Sequence, residues 1–520
     1  MMFHPRRTIR ALLLPLLAGL ALTALPAQTA QAASTLTNGG FESDGAGVAG
    51  PTGWSEYGDT GASYSESGGH SGSYRLSQYS SAAYKVETYQ YLSGLTNGNY
   101  TLTAWVRSSG GQNSAYISLK NCGSSEQKTD LPVSTSSWVR IVTSINVTNN
   151  QCTISINSDA KAGNWINVDD LTFASGSTGL SIKGADISSL AKSEALGGVY
   201  KTSSGTTGDA VTILKNAGMN YARLKVWVNP ADGYNNKTRV LAMAKRIKAA
   251  GMKLLVDFHY SDTWADPGKQ SKPTAWSSHT YSQLKTDVYN HTYDVLNALK
   301  AQGTTADMVQ VGNEINAGIL WSEGSTDNWS QLAGLLNSGY SAVKAVSSGT
   351  TVALHLANAG DDSTVRWWFD NAKTYGINYD VIGLSYYGYW HGSLAAAQTT
   401  LDDVVSRYGK PVFVAETAYP FTLAQDDSLE NQIDTTGELV TGYPATQAGQ
   451  LAWMNAVANI VEAVPGNKGL GVFYWEATWT AVTGNGWDPT DSTSGNGWEN
   501  QALFDYNDKA TSAMSWFSHR

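Results

Sequence analysis

The chain has 520 residues, enough for two or three domains, and a formal net charge of −9 at pH 7. Only 15% of the residues are charged, whereas 18 are Trp and 27 are Tyr. There is no basic stripe and no Lys/Arg-rich run, which argues against nucleic acid and anionic membrane surfaces as partners. The surplus of rings with a flat apolar face and a polar handle leans toward sugars or other amphipathic ligands.

Residues 1–32 read as a secretory signal. Arg6, Arg7 and Arg10 form a positive n-region, Ala11 to Leu25 an apolar h-region, and Ala30-Gln31-Ala32 an A-x-A cleavage site. The segment carries those three Arg and no acid, so its removal leaves a charge near −9 − 3 = −12. No second apolar run of spanning length follows, so a secreted, extracellular protein without a membrane anchor is expected. Outside the cell the only two cysteines, Cys122 and Cys152, are expected to form a disulfide in the first domain. With no other thiol in the chain, Cys-based metal sites and thiol catalysis are excluded.

From 34 to 173 apolar and polar residues alternate with period two, as in Tyr100-Thr-Leu-Thr-Ala-Trp105-Val-Arg107 and Cys152-Thr-Ile-Ser-Ile156, separated by Asn-Gly, Gly-Gly and Ser-Ser clusters. Short alternating strands between turn signals predict an antiparallel β-sandwich. Thr37-Asn38-Gly39-Gly40-Phe41-Glu42 opens this stretch, and Trp165-Ile-Asn-Val-Asp169-Asp170-Leu-Thr-Phe closes it. That frame resembles the jelly-roll carbohydrate-binding modules of bacterial polysaccharidases. The resemblance implies a structural calcium that Glu42 and Asp170 could hold. Trp54, Tyr57, Tyr79 and Tyr84 are candidates for stacking on sugar rings, although several of them must be core; a spacer role for the module is the alternative.

Residues 174–179, Ala-Ser-Gly-Ser-Thr-Gly, form a linker, and a second domain is expected over 180–520. Here short apolar runs alternate with helical segments such as Thr238 to Ala250, Trp329 to Val346, Ser393 to Tyr408 and Ala445 to Val464. Glycines such as Gly218, Gly251, Gly376 and Gly409 stand at the helix-to-strand junctions, where a left-handed C-terminal residue is needed. The strands are expected at 181–185, 221–228, 253–258, 308–312, 351–355, 381–386, 410–415 and 469–474. Eight βα units predict a parallel (β/α)8 TIM barrel, so the chain reads as an all-β sandwich followed by an α/β barrel. A doubly wound sheet is the alternative, but no Gly-rich phosphate loop follows any strand.

In such a barrel the strand ends share one rim, and the site sits there. The rim candidates are Asp186, Arg223 with Lys225 and Trp227, His259, Asp262, Trp264, Asn313-Glu314, His355, Tyr386-Tyr387, Glu416 and Trp475-Glu476. Two of these, Glu314 and Glu416, each cut off a strand of small and β-branched residues, and a carboxylate is among the costliest groups to bury. They sit on the fourth and seventh strands, which nearly face each other across an eight-strand ring. One carboxyl can then protonate a leaving oxygen while the other attacks the anomeric carbon. Arg223 in an apolar strand needs a buried anion, for which Glu416 is the natural partner. His259 is expected to position rather than catalyse, and His355 and His391 are weaker candidates. Asp262 and Asp266 are unremarkable loop acids. No paired His at i, i+4 and no serine elbow is present, so zinc hydrolysis and serine acyl transfer lack support.

This pattern resembles the clan of retaining (β/α)8 glycosidases with an Asn-Glu pair on strand four and a nucleophile on strand seven. The resemblance implies Glu314 as acid/base, Glu416 as nucleophile, Asn313 on the neighbouring sugar hydroxyl and Trp475 as the apolar floor. Glu314 should have a raised pKa, and Arg223 and the Tyr386 hydroxyl should keep Glu416 ionised. Gly184-Ala-Asp186-Ile-Ser-Ser, Ala222-Arg-Leu-Lys-Val-Trp227, Val256-Asp-Phe-His-Tyr-Ser-Asp-Thr-Trp-Ala-Asp-Pro-Gly268, Gly383-Leu-Ser-Tyr-Tyr387 and Gly471-Val-Phe-Tyr-Trp-Glu476 resemble, more narrowly, the arabinogalactan endo-β-1,4-galactanases of glycoside hydrolase family 53. The likeness implies endo-hydrolysis of β-1,4-galactan of pectin, no catalytic cofactor, a polysaccharide partner and a monomer. Bacterial members often hold calcium between the last two loops, where Asp426, Asp427, Asn431 and Glu499 stand; Leu429 occupies a position where a ligand would be expected. The alternatives are a clan-related β-1,4-glycanase acting on mannan, xylan or glucan, and a polysaccharide-binding protein without activity.

Overall fold

The computed structural model describes residues 35–176 and 179–518, so the expected signal sequence lies outside the described residues. Two antiparallel five-stranded sheets come first. One runs Ser55–Gly58, Tyr84–Ser93, Gln151–Ala160, Ser114–Lys120, Gln127–Asp130, and the other Ser63–Ser67, Tyr74–Tyr79, Trp165–Ser175, Gly98–Ser108, Thr135–Val147. The period-two pattern is what builds them. In Gly98–Ser108, Leu102, Ala104 and Val106 turn into the core while Thr103, Trp105 and Arg107 face outward. The last strand runs to Ser175, two residues past the expected end of the module.

The aromatic candidates divide. Tyr57 and Tyr79 are exposed, but Trp54 and Tyr84 are buried, so they serve the core rather than a ligand. Trp54 gives its indole N–H to the Asn38 carbonyl, and the Tyr84 hydroxyl donates to the Gln78 carbonyl. The outward face of the second sheet carries a different set. The Arg107 guanidinium lies 4.8 Å from the Trp138 ring and 5.8 Å from that of Trp165, and the His70 ring stacks on Trp105 at 3.9 Å.

Cys122 and Cys152 are bonded, with a sequence separation of 30. Closing a loop of that size is worth about 3–4 kcal/mol of unfolded-state entropy. Reduction is expected to lower the unfolding temperature of the sandwich and leave barrel activity intact, as calorimetry with a parallel assay would show.

The strand Thr135–Val147 also docks the sandwich on the barrel. Arg140 Nη2 donates to both carboxylate oxygens of Asp402 (2.9 Å each), and its backbone exchanges two hydrogen bonds with the Gln398 side chain. Gln398 and Asp402 belong to the helix Leu394–Tyr408.

The barrel strands are β1 (Ile182–Asp186), β2 (Tyr221–Val226), β3 (Lys253–Phe258), β4 (Met308–Val311), β5 (Thr351–Leu356), β6 (Val381–Ser385), β7 (Val412–Thr417) and β8 (Gly469–Tyr474). All are parallel, each pairs with the next, and β8 closes onto β1. At least one helix fills every gap between consecutive strands. The interior is layered. Ile182, Tyr221, Leu255, Met308, Ala353, Val381, Phe413 and Phe473 plug the lower end. Gly184 and Gly383 make room for this plug, because a Cβ there would sit 2.4 Å and 2.9 Å from the rings of Phe473 and Phe413. Above it, two or four residues further along the strands, stand Asp186, Arg223, Asp257, Gln310, His355 and Ser385, all buried. A polar layer therefore rests on an aromatic floor, at the rim where barrel enzymes keep their chemistry.

Candidate active site

A cleft of about 590 Å³ opens above this layer, lined among others by Asp186, Arg223, His259, Asn313, Glu314, Glu416 and Trp475. Of the rim candidates, Lys225, Trp264 and Tyr387 line it as well, whereas Trp227, Asp262, His355, Tyr386 and Glu476 do not. The Tyr386 hydroxyl donates to the Gly392 carbonyl and is buried away from the cleft. Its neighbour Tyr387 takes the expected place, donating its hydroxyl to Glu416 Oε2 at 3.1 Å. Successive residues leaving a strand point opposite ways, and the pattern Tyr-Tyr does not say which one faces in.

Arg223 organises the layer. Its Nε donates to Gln310 Oε1, Nη1 to Asp186 Oδ2, and Nη2 to Asp257 Oδ2 and Asn313 Oδ1, while Nη2 also forms an ion pair with Glu416 Oε1, all at 2.8–2.9 Å. The expected anion, Glu416, is therefore one of three. The other two already bind the same guanidinium at the level of β1 and β3. Asp257 is held below the usual carboxylate range; burial works against its charge, but Arg223 and His259 outweigh it. His259 Nε2 meets Asp257 Oδ2 at 3.0 Å, while Nδ1 accepts from the Trp227 indole and the Ala265 amide. Both ring nitrogens are committed to protein groups. Asn313 gives one N–H to the Ala265 carbonyl and accepts from Arg223, which leaves its second N–H for the cleft.

Glu416 reaches this layer through an irregularity in the sheet. In β7 the residues Phe413 and Ala415 face the barrel interior, so strict alternation would turn Glu416 outward. The register between β6 and β7 shifts after Leu384 and Val414, and Ser385 then pairs with Glu416. The extra residue aims the carboxyl into the mouth, as a β-bulge does. Glu314 also departs from regular backbone, with a left-handed φ of 45° just beyond β4, a conformation that costs a non-glycine residue about 1–3 kcal/mol and tends to mark functional sites.

The carboxyl of Glu314 accepts from Ser385 Oγ at 2.6 Å. Burial pushes Glu314 up to about 7; the Ser385 hydrogen bond and the Arg223 charge hold it back, and Asp266 and Asp257 push it further. Burial also raises Glu416 well above the ordinary carboxylate range, with Arg223 opposing and Glu314, Asp257 and Asp186 adding. Two carboxyls that disfavour each other's charge in one cleft cannot both ionise freely, so they titrate as a pair.

Around this centre the walls are aromatic. Trp475 stands 4.4 Å from Trp498 and 6.1 Å from Trp264, between ring centroids. The Lys225 ammonium lies 4.0 Å over the Trp264 ring and pairs with Glu476 at 2.7 Å. Trp390 and Trp487 are half exposed where the cleft meets solvent.

The proposed calcium positions have other partners. Glu42 Oε1 accepts the backbone N–H groups of Ser73 and Tyr74, and Asp170 accepts from Ser71 Oγ and meets His70. In the barrel, Glu499 Oε1 accepts the amides of Asp426 and Asp427, and Asp427 accepts those of Leu429 and Asn496. Glu499 Oε2 and Asn431 Oδ1 are buried without a hydrogen-bond partner, and they are oxygens of the kind calcium takes. Among the described residues, however, no three His, Cys, Asp or Glu side chains stand together to hold a metal.

Sequence reasoning missed Asp257, Gln310 and Ser385. The signal was present for the first. Asp257 is an acid inside the apolar run Leu254-Leu-Val-Asp-Phe258, at the inward position two residues after Leu255.

Comparison with known proteins follows the same division of the chain. The family model described as glycosyl hydrolase family 53 matches residues 182–517, and one described as a carbohydrate binding domain matches 33–163. An endo-β-1,4-galactanase of Bacillus subtilis is 36% identical over 374 residues, covering 65% of this chain and 85% of the relative. An arabinogalactan endo-β-1,4-galactanase of Thermothelomyces thermophilus is 36% identical over 346 residues, covering 65% of this chain and 99% of the relative. Among solved structures, the Ignisphaera aggregans GH53 catalytic domain is 39% identical with a TM-score of 0.62, covering 65% of this chain and 95% of that one. A structure of fungal β-1,4-galactanases gives 34% identity and a TM-score of 0.58, covering 66% and 100%.

Proposed function

This chain belongs to glycosyl hydrolase family 53 and is a glycoside hydrolase; from that premise we propose that it is a secreted endo-β-1,4-galactanase that cleaves galactan with retention of configuration. The observation that carries the reading is the pair Glu314 and Glu416, presented to one cleft by opposite strands and held in unlike surroundings. Glu416 touches a guanidinium and a phenol, and both favour its anion. Glu314 touches a single hydroxyl and no cation. The proton that the pair shares therefore rests on Glu314. Glu314 is the general acid, then the base, and Glu416 is the nucleophile.

In this mechanism Glu314 protonates the leaving oxygen as Glu416 bonds to the anomeric carbon. Departure of the sugar frees the acceptor side for water, which Glu314 deprotonates to release the product. The free N–H of Asn313 binds the hydroxyl next to the reacting carbon, and Trp475 supports the ring face. Endo action needs sites for further sugars, and Trp390 and Trp487, half exposed at the cleft, would be platforms for them. No step uses a cofactor.

Several features support secretion and a binding role for the sandwich. They are the N-terminal signal pattern, the disulfide, and the match to a carbohydrate binding domain. No helix among the described residues is long and apolar enough to cross a membrane. Trp105, Trp138, Trp165 and Arg107 would hold the polymer, raising its local concentration at the cleft.

The test is reducing-end release from galactan, mannan, xylan and glucan in parallel, with the anomer of the first product read by proton NMR. Galactan is expected to be cleaved fastest, with the β-anomer formed first. Preference for another polymer would replace galactan as substrate, and an initial α-anomer would overturn retention.

A further inference from the structure

The buried polar layer holds one chain of hydrogen bonds whose direction can be worked out proton by proton. Arginine has donors only, so the bond from Arg223 Nε fixes Oε1 as the acceptor end of the Gln310 amide. Gln310 Nε2 must then donate, and it lies 3.2 Å from Asp257 Oδ1 and 3.0 Å from His355 Nδ1. The backbone N–H of Glu314 also points at His355 Nδ1, at 3.4 Å. Two donors aimed at one ring nitrogen make it the unprotonated one. His355 is buried, and burial beside the Arg223 charge keeps it neutral. Its single proton therefore sits on Nε2, 2.8 Å from Ser385 Oγ. Ser385 accepts there and has one hydrogen left, which goes to Glu314 Oε1.

One contact runs against this order. Asn313 Oδ1 lies 3.1 Å from His355 Nδ1 and would accept from it in the other tautomer. That oxygen already takes Arg223 Nη2, and the amide cannot turn over because Nδ2 donates to the Ala265 carbonyl. The approach is one of two acceptors, outweighed by the two donors.

We infer that Ser385 is a positioning residue for Glu314, the last link of a one-way relay from Arg223 through Gln310 and His355 that reserves Oε1 as an acceptor and leaves the acid proton on Oε2. The relay ties both halves of the reaction to one guanidinium, since Arg223 also holds Glu416. It further decides which oxygen of Glu314 faces the leaving group. The inference rests on Glu314 being the acid/base.

A hydroxyl that donates to a carboxyl favours its ionised form, so losing it raises the pKa. Glu314 acts as an acid while protonated, and a raised pKa carries activity to higher pH. The other charged and titratable groups facing Glu314 are Arg223 from β2, Asp257 and Asp266 on and after β3, Glu416 from β7 and Tyr387 after β6. None of them is altered by a change at Ser385.

The experiment is kcat/KM on soluble galactan against pH for wild type, Ser385→Ala and Ser385→Thr, with Glu314→Ala as reference. The alkaline limb of Ser385→Ala is expected to move up by about one pH unit, the size of losing one hydrogen bond to a charged group, and Ser385→Thr to return it. If Glu314→Ala is inactive and the limb of Ser385→Ala stays in place or falls, the relay is wrong and the acid/base reading stands. If Glu314→Ala keeps wild-type activity, that reading itself fails. A second measurement does not depend on any variant being active. In ¹⁵N-histidine NMR of the wild type, with His355 assigned by difference from folded His355→Gln, the proton should be on Nε2, and a proton on Nδ1 would overturn the relay.

Discussion

Replacing Glu416 by alanine is expected to lower kcat on galactan by on the order of 10⁴-fold or more, the scale seen when a covalent nucleophile is removed, with little change in KM. The residue contacts only Arg223 and Tyr387 through its carboxyl, and it makes no contact that binding of distant sugars would need. The fold should survive, because Arg223 keeps Asp186 and Asp257 as counter-ions when the third anion is lost. Alanine also leaves a space on the face from which the proposed nucleophile attacks. Azide supplied in solution should enter that space and restore turnover of a galactoside with a good leaving group, giving the α-glycosyl azide. Product configuration by NMR and a thermal melt of the variant complete the measurement. Activity within tenfold of wild type would remove Glu416 from the mechanism.

Replacing Arg223 by alanine is expected to destabilise the barrel by about 3–5 kcal/mol, the usual cost of stripping the partner from buried charges, and to abolish activity. Its guanidinium makes four hydrogen bonds, to Gln310, Asp186, Asp257 and Asn313, and an ion pair with Glu416. Arg223→Lys should rescue little, because an ammonium offers a point charge in place of a fork. The pH dependence carries a sign. Without the guanidinium, Asp257 loses the largest influence that holds its carboxyl down against burial, and Glu416 loses the charge that opposes its burial, so the folded pKa values of both rise. A group raised in the folded state adds stability below its unfolded pKa and loses it as pH rises through the folded value. The penalty of Arg223→Ala should therefore be largest at alkaline pH and shrink toward pH 5. Urea titrations at several pH values would show this, and a penalty that grows on acidification would contradict it.

Much of the barrel could be read from local pattern. Eight apolar runs, seven of them followed by a helix and each leading into polar or aromatic residues, are properties of neighbouring residues, and the expected strands lie within two residues of those observed. The two glutamates were legible for the same reason, since an acid that closes a buried strand is costly wherever it stands. The sandwich was legible through its period of two, although the same period could not tell Trp54 and Tyr84, which fill the core, from Tyr57 and Tyr79, which do not.

The sequence by itself determined which chemical groups reach the rim and the order in which they arrive around the ring. Only the tertiary structure decided where each one points. Glu416 faces the mouth because β6 and β7 slip register after Leu384, and Glu314 does so from a left-handed backbone that no propensity favours. Tyr387 rather than Tyr386 meets the carboxylate, and Arg223 serves three anions and two amides at once. The physical reason is one of range. Alternation, capping and burial cost are set within a few residues of chain, whereas strand register and the sharing of one cation among five strands depend on residues up to about two hundred positions apart, brought together only when the barrel closes.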